Sequence, residues 1–261
     1  MERYMVELNK IYNENCLNTM ARMPDEFIDL TVTSPPYDNL RTYNGYSFDF
    51  KSIAKELYRI TKQGGVVVWV VGDATINGSE TGTSFKQALY FKEIGFNLHD
   101  TMIYLKDQLA YPDTNRYYNA FEYMFVFSKG KPLNVNLIKD KPNKSFGRKV
   151  SGKDRNRDGS SQDKTRANEP IYEFGVRWNY WLIYNQKRGV ETQHPAIFPE
   201  QLAHDHIISW SIENDLIYDC FMGSGTTAKV ATQLNRNYIG SEISKEYCDI
   251  AEKRLVQNKL L

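Results

Sequence analysis

Residues 216–228 read LIYDCFMGSGTTA. Leu216, Ile217 and Tyr218 suit a buried strand. Gly223 and Gly225 then permit a tight turn and close approach of a ligand to the backbone. Residues 224–234 follow as a helix and 238–241 as a second strand. Tyr247, Ile250, Ala251 and Leu255 recur at helical spacing over 244–256. Strand, glycine turn, helix and strand in this order predict a βαβ unit.

The alternation extends toward the N-terminus. Residues 27–33 (FIDLTVT) form a short apolar run that Ser34-Pro35-Pro36 forces into a turn. Ile53, Ala54, Leu57 and Tyr58 place a helix over 51–62, which Gly64-Gly65 is expected to stop. Residues 66–71 (VVVWVV) are apolar on both faces, as a central parallel strand requires. A helix over 84–94, strands over 97–105 and 121–128, and a helix over 199–210 complete the pattern. No internal repeat interrupts it. The expectation is a doubly wound, Rossmann-like α/β sheet, mostly parallel.

Composition agrees. The 261 residues are 41% apolar and 25% charged, which excludes collagen, coiled coil and wholesale disorder. No run of 18 apolar residues is present and the first ten residues lack a signal-peptide core, so a cytoplasmic, membrane-free location is expected. Cys16, Cys220 and Cys248 have no zinc-site spacing; a reducing compartment without a resident metal is expected.

The charge is unevenly placed. Residues 131–190 hold 14 Lys+Arg against 6 Asp+Glu, whereas the whole chain holds 33 against 32. Within them, 139–166 is nearly free of aliphatic residues and reads as loop or partly disordered chain. A basic segment in a globular chain is either a solvated linker or a site for a polyanion. Arg177, Trp178, Tyr180, Trp181 and Tyr184 follow, residue types that suit nucleic acid or a core equally.

Two candidate sites fall where open α/β sheets bind ligands, at the carboxyl ends of strands. The first is the glycine turn. Asp219, Phe221, Ser224 and Thr226 flank Gly223 and Gly225, and Glu242 ends the next strand, where a carboxylate can accept from two ribose hydroxyls. No Lys follows the second glycine, so this is not a triphosphate loop. Residues 223–228 also spell G-x-G-x-x-A, which leaves open a nicotinamide-dependent oxidoreductase or a ligand-free turn. The second is Thr33-Ser34-Pro35-Pro36-Tyr37. Two prolines fix the backbone and remove two N–H donors. The Ser34 hydroxyl, the Pro35 carbonyl and the Tyr37 ring remain as a cradle for a planar group bearing an amine; a rigid turn is the alternative.

The two motifs together, in this order and with a basic segment between them, resemble the permuted beta class of DNA amino-methyltransferases, which act on cytosine N4 or adenine N6. The resemblance covers nearly the whole chain. It implies a circularly permuted S-adenosyl-L-methionine-dependent methyltransferase fold. Residues 1–130 and 193–261 would form one catalytic domain, carrying the Ser-Pro-Pro-Tyr half and the cofactor half, with 131–192 inserted as a target-recognition region. It further implies that Asp219, Phe221, Gly223, Ser224, Gly225, Thr226 and Glu242 hold the cofactor, with Asn15 near its adenine and His194-Pro195 near its methionine end. Asn15 stands where the family often has Asp.

The partner so implied is double-stranded DNA, with a cognate restriction endonuclease and a homodimer as further partners the family allows. Tyr37 would stack on an everted base. Residues 38–50 would form a flap with Arg41 on a phosphate, and Asp73 would hydrogen-bond Ser34 or the base, or else cap a helix. Arg148, Lys149, Arg155, Arg157 and Arg177 are the expected DNA contacts. No Pro-Cys pair is present, so the covalent cysteine chemistry of cytosine-C5 enzymes is not expected. Within the family, Ser at the first motif position goes mostly with cytosine N4, and adenine N6 is the alternative.

Overall fold

Val66, Val67, Val68, Trp69, Val70 and Val71 are buried because helices cover both faces of their strand. The computed structural model describes residues 6–36, 48–106, 114–184 and 198–258. In chain order the elements are β1 (Lys10–Tyr12), α1 (Cys16–Arg22), β2 (Ile28–Thr33), α2 (Phe50–Ile60), β3 (Thr61–Val71) and the short hairpin β4 (Thr75–Ile76) and β5 (Ser79–Glu80). Then come α3 (Thr83–Glu93), β6 (Asn97–Lys106), β7 (Phe121–Ser128), β8 (Lys141–Pro142), β9 (Lys153–Arg155), β10 (Ser161–Asp163), β11 (Phe174–Gly175) and β12 (Tyr180–Ile183). The chain continues with α4 (Glu200–Trp210), β13 (Leu216–Asp219), α5 (Thr226–Gln233), β14 (Asn237–Ser241) and α6 (Lys245–Asn258).

Contacts divide the chain into two compact units, one of Met1–Asn136 with Asn179–Leu261 and one of Leu137–Trp178. The larger unit holds an eight-stranded sheet in the order β1-β14-β13-β2-β3-β7-β6-β12. Every adjacent pair is parallel except those made by β7, which runs antiparallel to β3 and to β6. One core packs Leu30, Val32, Val68 and Val126 against α4, α5 and α6; the other packs Ile28, Val67, Trp69 and Phe127 against α1, α2 and α3. This is the doubly wound, mostly parallel α/β sheet expected from the alternation.

Two details depart from that expectation. The strand containing Val66–Val71 is parallel on one side only, since its other neighbour is β7. Gly64-Gly65 do not stop α2, which ends at Ile60, where the Thr61 hydroxyl donates to the Leu57 carbonyl at 2.6 Å. The glycines lie inside β3, at the point where pairing jumps from Ile28↔Thr61 to Leu30↔Val66. Gly64 has φ +81°, and a Cβ there would lie 2.3 Å from Leu133 Cγ. The glycines serve a bulge rather than a stop.

The smaller unit corrects the loop reading of the basic segment. Antiparallel bonds run along it: Arg177 N–H to the Ile138 carbonyl at 2.9 Å, Asn143 N–H to Glu173 at 2.8 Å, Ile171 N–H to Arg148 at 2.8 Å and Val150 N–H to Glu169 at 2.8 Å. β8 pairs with β11, and β9 with β10. Backbone hydrogen bonds supply the order that aliphatic burial does not.

Candidate active site

β2 and β13 lie side by side and parallel, so their carboxyl ends emerge together. From β13 the chain winds through β14 away from β2, while from β2 it winds to β3 in the other direction. The crevice between them is therefore the topological switch point, where open α/β sheets bind ligands. Thr33, last in β2, donates its hydroxyl to Asp219 Oδ1 at 2.7 Å. Asp219, last in β13, also accepts Phe221 N–H on Oδ1 at 3.0 Å and the Thr227 hydroxyl on Oδ2 at 2.7 Å.

Asp219 is buried. Desolvation pushes its pKa up, and the Thr33, Thr227 and Phe221 bonds oppose that push. Sequence reading placed Asp219 against the cofactor. Its carboxylate braces both motifs from inside, bonded to Thr33, Phe221 and Thr227.

The glycine turn leaves β13 with Gly223 at φ 52° and Gly225 at φ 83°. Gly223 N–H donates to Glu242 Oε2 and Ser244 N–H to Glu242 Oε1, both at 2.8 Å. A Cβ on Gly225 would come within 2.6 Å of Ala251 Cβ, so this glycine also seats α6 against the turn. Burial pushes the Glu242 pKa up, against the pull of the Ser244 and Gly223 N–H groups. Each Glu242 oxygen has one backbone donor and further lone-pair capacity. That set suits the two hydroxyls of a ribose. Thr226 opens α5 immediately after the turn, and Ser224 is buried beneath it.

β1 brings the N-terminal segment to the same edge. Glu242 N–H donates to the Tyr12 carbonyl at 3.0 Å, and the Asn13 amide donates to the carbonyls of Glu242 and Ile243 at 2.9 and 3.0 Å. Asn15 follows as the N-cap of α1, its Oδ1 accepting Leu17 N–H at 2.9 Å. Its acceptor oxygen is thus engaged by a helix start, and Asn13 makes the contacts to the end of β14.

On the other side of the crevice, Pro35 is buried and Ser34 and Pro36 are half-buried. Tyr37, Arg41, His194 and Pro195 lie outside the described residues. Of the expected flap, only the end is described. Phe48 packs on Phe221 with ring centroids 5.7 Å apart, and Asp49 caps α2 through Ser52 N–H. Asp73 is bonded to the start of α3. Its Oδ1 accepts Ser84 N–H at 2.8 Å, and it also takes the Ser84 and Thr81 hydroxyls. The capping alternative describes this carboxylate.

The basic residues divide in the same way. Arg177 Nε donates to Asp140 Oδ2 and Oδ1 at 2.9 and 3.1 Å, so this cation is used within the protein. Arg148, Lys149, Arg155 and Arg157 are exposed, with no carboxylate at ion-pair distance among the described residues. Of the aromatics, Trp181 is buried and sits 4.6 Å from the His206 ring, while Tyr180 and Tyr184 face outward.

One residue has no signature in the sequence. Arg254 on α6 donates through Nη1 to the Ser224 carbonyl at 2.6 Å and the Ser224 hydroxyl at 3.0 Å. Its Nη2 reaches Glu200 at 2.9 Å, and Lys229 meets the same carboxylate at 2.7 Å. A lone Arg on an amphipathic helix carries no motif; only the fold shows that it holds the glycine turn.

With this geometry in place, comparison with known proteins is decisive. The model of a family described as DNA methylase matches residues 28–253. The chain belongs to that DNA methylase family. It is a DNA methyltransferase of the N4/N6 type, and S-adenosyl-L-methionine is its methyl donor. The nicotinamide reading of G-x-G-x-x-A falls away.

The methyltransferase is 63% identical over 235 residues to the orphan methyltransferase M.BamHII of Bacillus amyloliquefaciens, covering 87% of this chain and 88% of that one. It is 28% identical over 253 residues to the type II methyltransferase M.BglII of Bacillus subtilis, covering 94% and 68%. In fold it is similar to the PvuII DNA methyltransferase, described as cytosine-N4-specific, with TM-score 0.70 and 22% identity over 97% of this chain and 88% of that one. An M1.HpyAVI complex with S-adenosylmethionine gives TM-score 0.64 at 20% identity, covering 94% and 99%. Among the described residues no helix is long and apolar enough to cross a membrane.

Proposed function

We propose that this methyltransferase acts on N4 of a cytosine rotated out of duplex DNA. The observation that carries the reading is the Thr33–Asp219 bond, which fixes Ser34 and Pro35 beside the glycine turn. Bound there, the cofactor supplies an electrophilic sulfonium methyl group. The exocyclic amine of cytosine is a poor nucleophile because its lone pair is delocalised into the ring. The Ser34 hydroxyl and the Pro35 carbonyl accept hydrogen bonds from its two N–H groups and favour a tetrahedral nitrogen, and the one proton that nitrogen sheds on methylation passes to solvent, leaving a neutral secondary amine. Positioning and fixed dipoles supply the acceleration, with no covalent enzyme intermediate. Tyr37 stacks on the everted base and offsets part of its unstacking, which costs a few kcal/mol.

Glu242 holds the ribose, and the Gly223–Gly225 turn lets the donor approach backbone. Asn15 would serve the cofactor adenine, and His194-Pro195 its methionine end. Ser34 at the first motif position supports cytosine over adenine. Arg148, Lys149, Arg155 and Arg157 supply the attraction for DNA, since the chain as a whole carries a net charge of only +1. The test is nucleoside analysis of DNA from cells expressing the enzyme. N4-methylcytosine is expected, and it disappears in Ser34→Ala; N6-methyladenine in its place overturns the choice of base.

A further inference from the structure

The β4–β5 hairpin stands at the same edge of the sheet as the crevice. β3 is parallel to β2, with Thr33 beside Trp69, and runs on to Val71 before the chain turns into the hairpin. β7 runs the opposite way, with Val71 beside Tyr123, so the segment leading into β7 reaches that edge too. The sheet order β13-β2-β3-β7 fixes the succession of loops along it. The glycine turn comes first, then Ser34-Pro35-Pro36, then the hairpin, then the segment before Phe121. Ser34-Pro35-Pro36 thus lies between the cofactor turn and the hairpin.

The hairpin is built to keep its shape. Thr75 pairs with Glu80 and Ile76 with Ser79. Asn77 and Gly78 have φ 51° and 77°, the two positive values that a type I′ turn requires. Thr81 N–H donates to the Ala74 carbonyl at 2.9 Å, which closes the base of the hairpin. Asp73 takes the Thr81 hydroxyl at 3.3 Å and Ser84 N–H at 2.8 Å, so the base is also fastened to α3. At the tip, Arg116 from the segment before β7 donates to the Gly78 carbonyl. A hairpin fastened at both ends holds its side chains in fixed places.

One of those side chains does not fit a solvated turn. Residues 75–80 read TINGSE, and Ile76 is the single apolar residue among them. It is 53% exposed. The turn needs Asn-Gly and makes no demand for a β-branched aliphatic before it. A protein partner would meet a broad apolar patch with a polar rim. One aliphatic side chain on a narrow polar support suits instead the gap between two stacked bases, where Ile, Leu and Met act as wedges. Glu80, the one charged residue of the hairpin, lies at the end of β5 away from the turn.

We infer that Ile76 enters the duplex beside the target nucleotide and fills the space that the everted base leaves. The inference rests on the reading that a base is rotated out onto Ser34. Eversion exposes the faces of the bases left behind, and an apolar side chain in the gap covers them and slows the return of the target base. Arg116 is the positioning residue that steadies the tip.

The test compares single-turnover methylation of two duplexes that carry the enzyme's own motif, mapped beforehand by base-modification sequencing of DNA treated with the parent. In one duplex the target base is paired; in the other it faces an abasic site, so no pair has to be broken. Ile76→Ala is expected to methylate the paired duplex about tenfold more slowly than the parent and the abasic duplex at the parent's rate, because only the first carries the full cost of eversion. Ile76→Leu, still apolar, is expected to recover most of the loss, and Ser34→Ala to slow both duplexes alike. An equal loss for Ile76→Ala on the two duplexes overturns the inference. So does the parent's rate on the paired duplex, which would leave Ile76 to a protein partner. A Ser34→Ala enzyme with the parent's rate on both duplexes overturns instead the reading on which the inference rests. An unchanged Kd for S-adenosylmethionine confirms that each variant is folded.

Discussion

The Thr33 hydroxyl donates to Asp219 Oδ1 across 2.7 Å, joining residues 186 positions apart in the chain. That bond links the strand that delivers Ser34 to the strand that delivers the glycine turn. The Ser34-Pro35-Pro36 segment and the glycine turn are thereby tied to one bond. Removing the Thr33 donor leaves a buried carboxylate with one partner fewer, which costs about 1–3 kcal/mol. Thr33→Val is therefore expected to lower the melting temperature by several degrees and to reduce the rate of methyl transfer, measured by differential scanning fluorimetry and single-turnover kinetics. A variant with the parent's rate contradicts the linkage.

Glu242 already anchors Gly223 and Ser244 through their N–H groups. Glu242→Gln keeps the size and replaces a doubly accepting carboxylate with a single acceptor oxygen. Hydrogen bonds to a charged group contribute about 1.5–3 kcal/mol, so affinity for S-adenosylmethionine should fall by at least tenfold. Isothermal titration calorimetry reads this directly, and an unchanged Kd removes Glu242 from the ribose site.

Arg254 touches no reacting atom and acts through Ser224. Arg254→Ala is expected to raise KM for S-adenosylmethionine while the methylated motif stays the same. Arg254→Lys, which keeps the charge and loses the fork, should rescue only in part. Steady-state kinetics with cofactor varied at saturating DNA separates the two parameters. A loss confined to thermal stability would mean that Arg254 supports the fold alone.

His206 predicts an acid sensitivity. Its ring is buried between Trp181 and Met124, with Nδ1 accepting from Trp210 at 3.3 Å, and burial lowers its pKa from 6.5 to about 3. The unfolded chain therefore binds a proton below pH 6.5 that the folded chain refuses until near pH 3. Stability contributed by this group is fully present above 6.5 and falls as pH drops through that window, by about 1.4 kcal/mol per unit. Urea unfolding at pH 7 and pH 5 should show a larger loss for the parent than for His206→Gln.

Much of this was legible in the sequence because hydrophobic period and glycine punctuation coincide. The helix over 199–210 and the strand over 121–128 match α4 and β7 almost residue for residue. Several short elements were not legible, the β4–β5 hairpin among them. β1 is only three residues long, α1 is too short to show a periodicity, and β12 alternates aromatics that suit nucleic acid as well as a core. Gly64-Gly65 misled because a glycine pair stops a helix and opens a bulge with equal ease. The glycine turn was legible at Gly223 and Gly225, both of which take positive φ. Asp219 and Asp73 were harder, since a carboxylate at a strand end serves a ligand or a neighbouring hydroxyl equally well. The smaller unit was hidden because backbone bonds across polar residues leave no hydrophobic pattern.

The most direct test of the shared cleft incubates purified enzyme, unmethylated duplex DNA and S-adenosylmethionine with a trideuterated methyl group, then weighs the released nucleosides. The account predicts the heavy methyl on cytosine N4, lost in Ser34→Ala while that variant still binds the donor. Deuterium on adenine N6, or undiminished labelling of cytosine by Ser34→Ala, would contradict it.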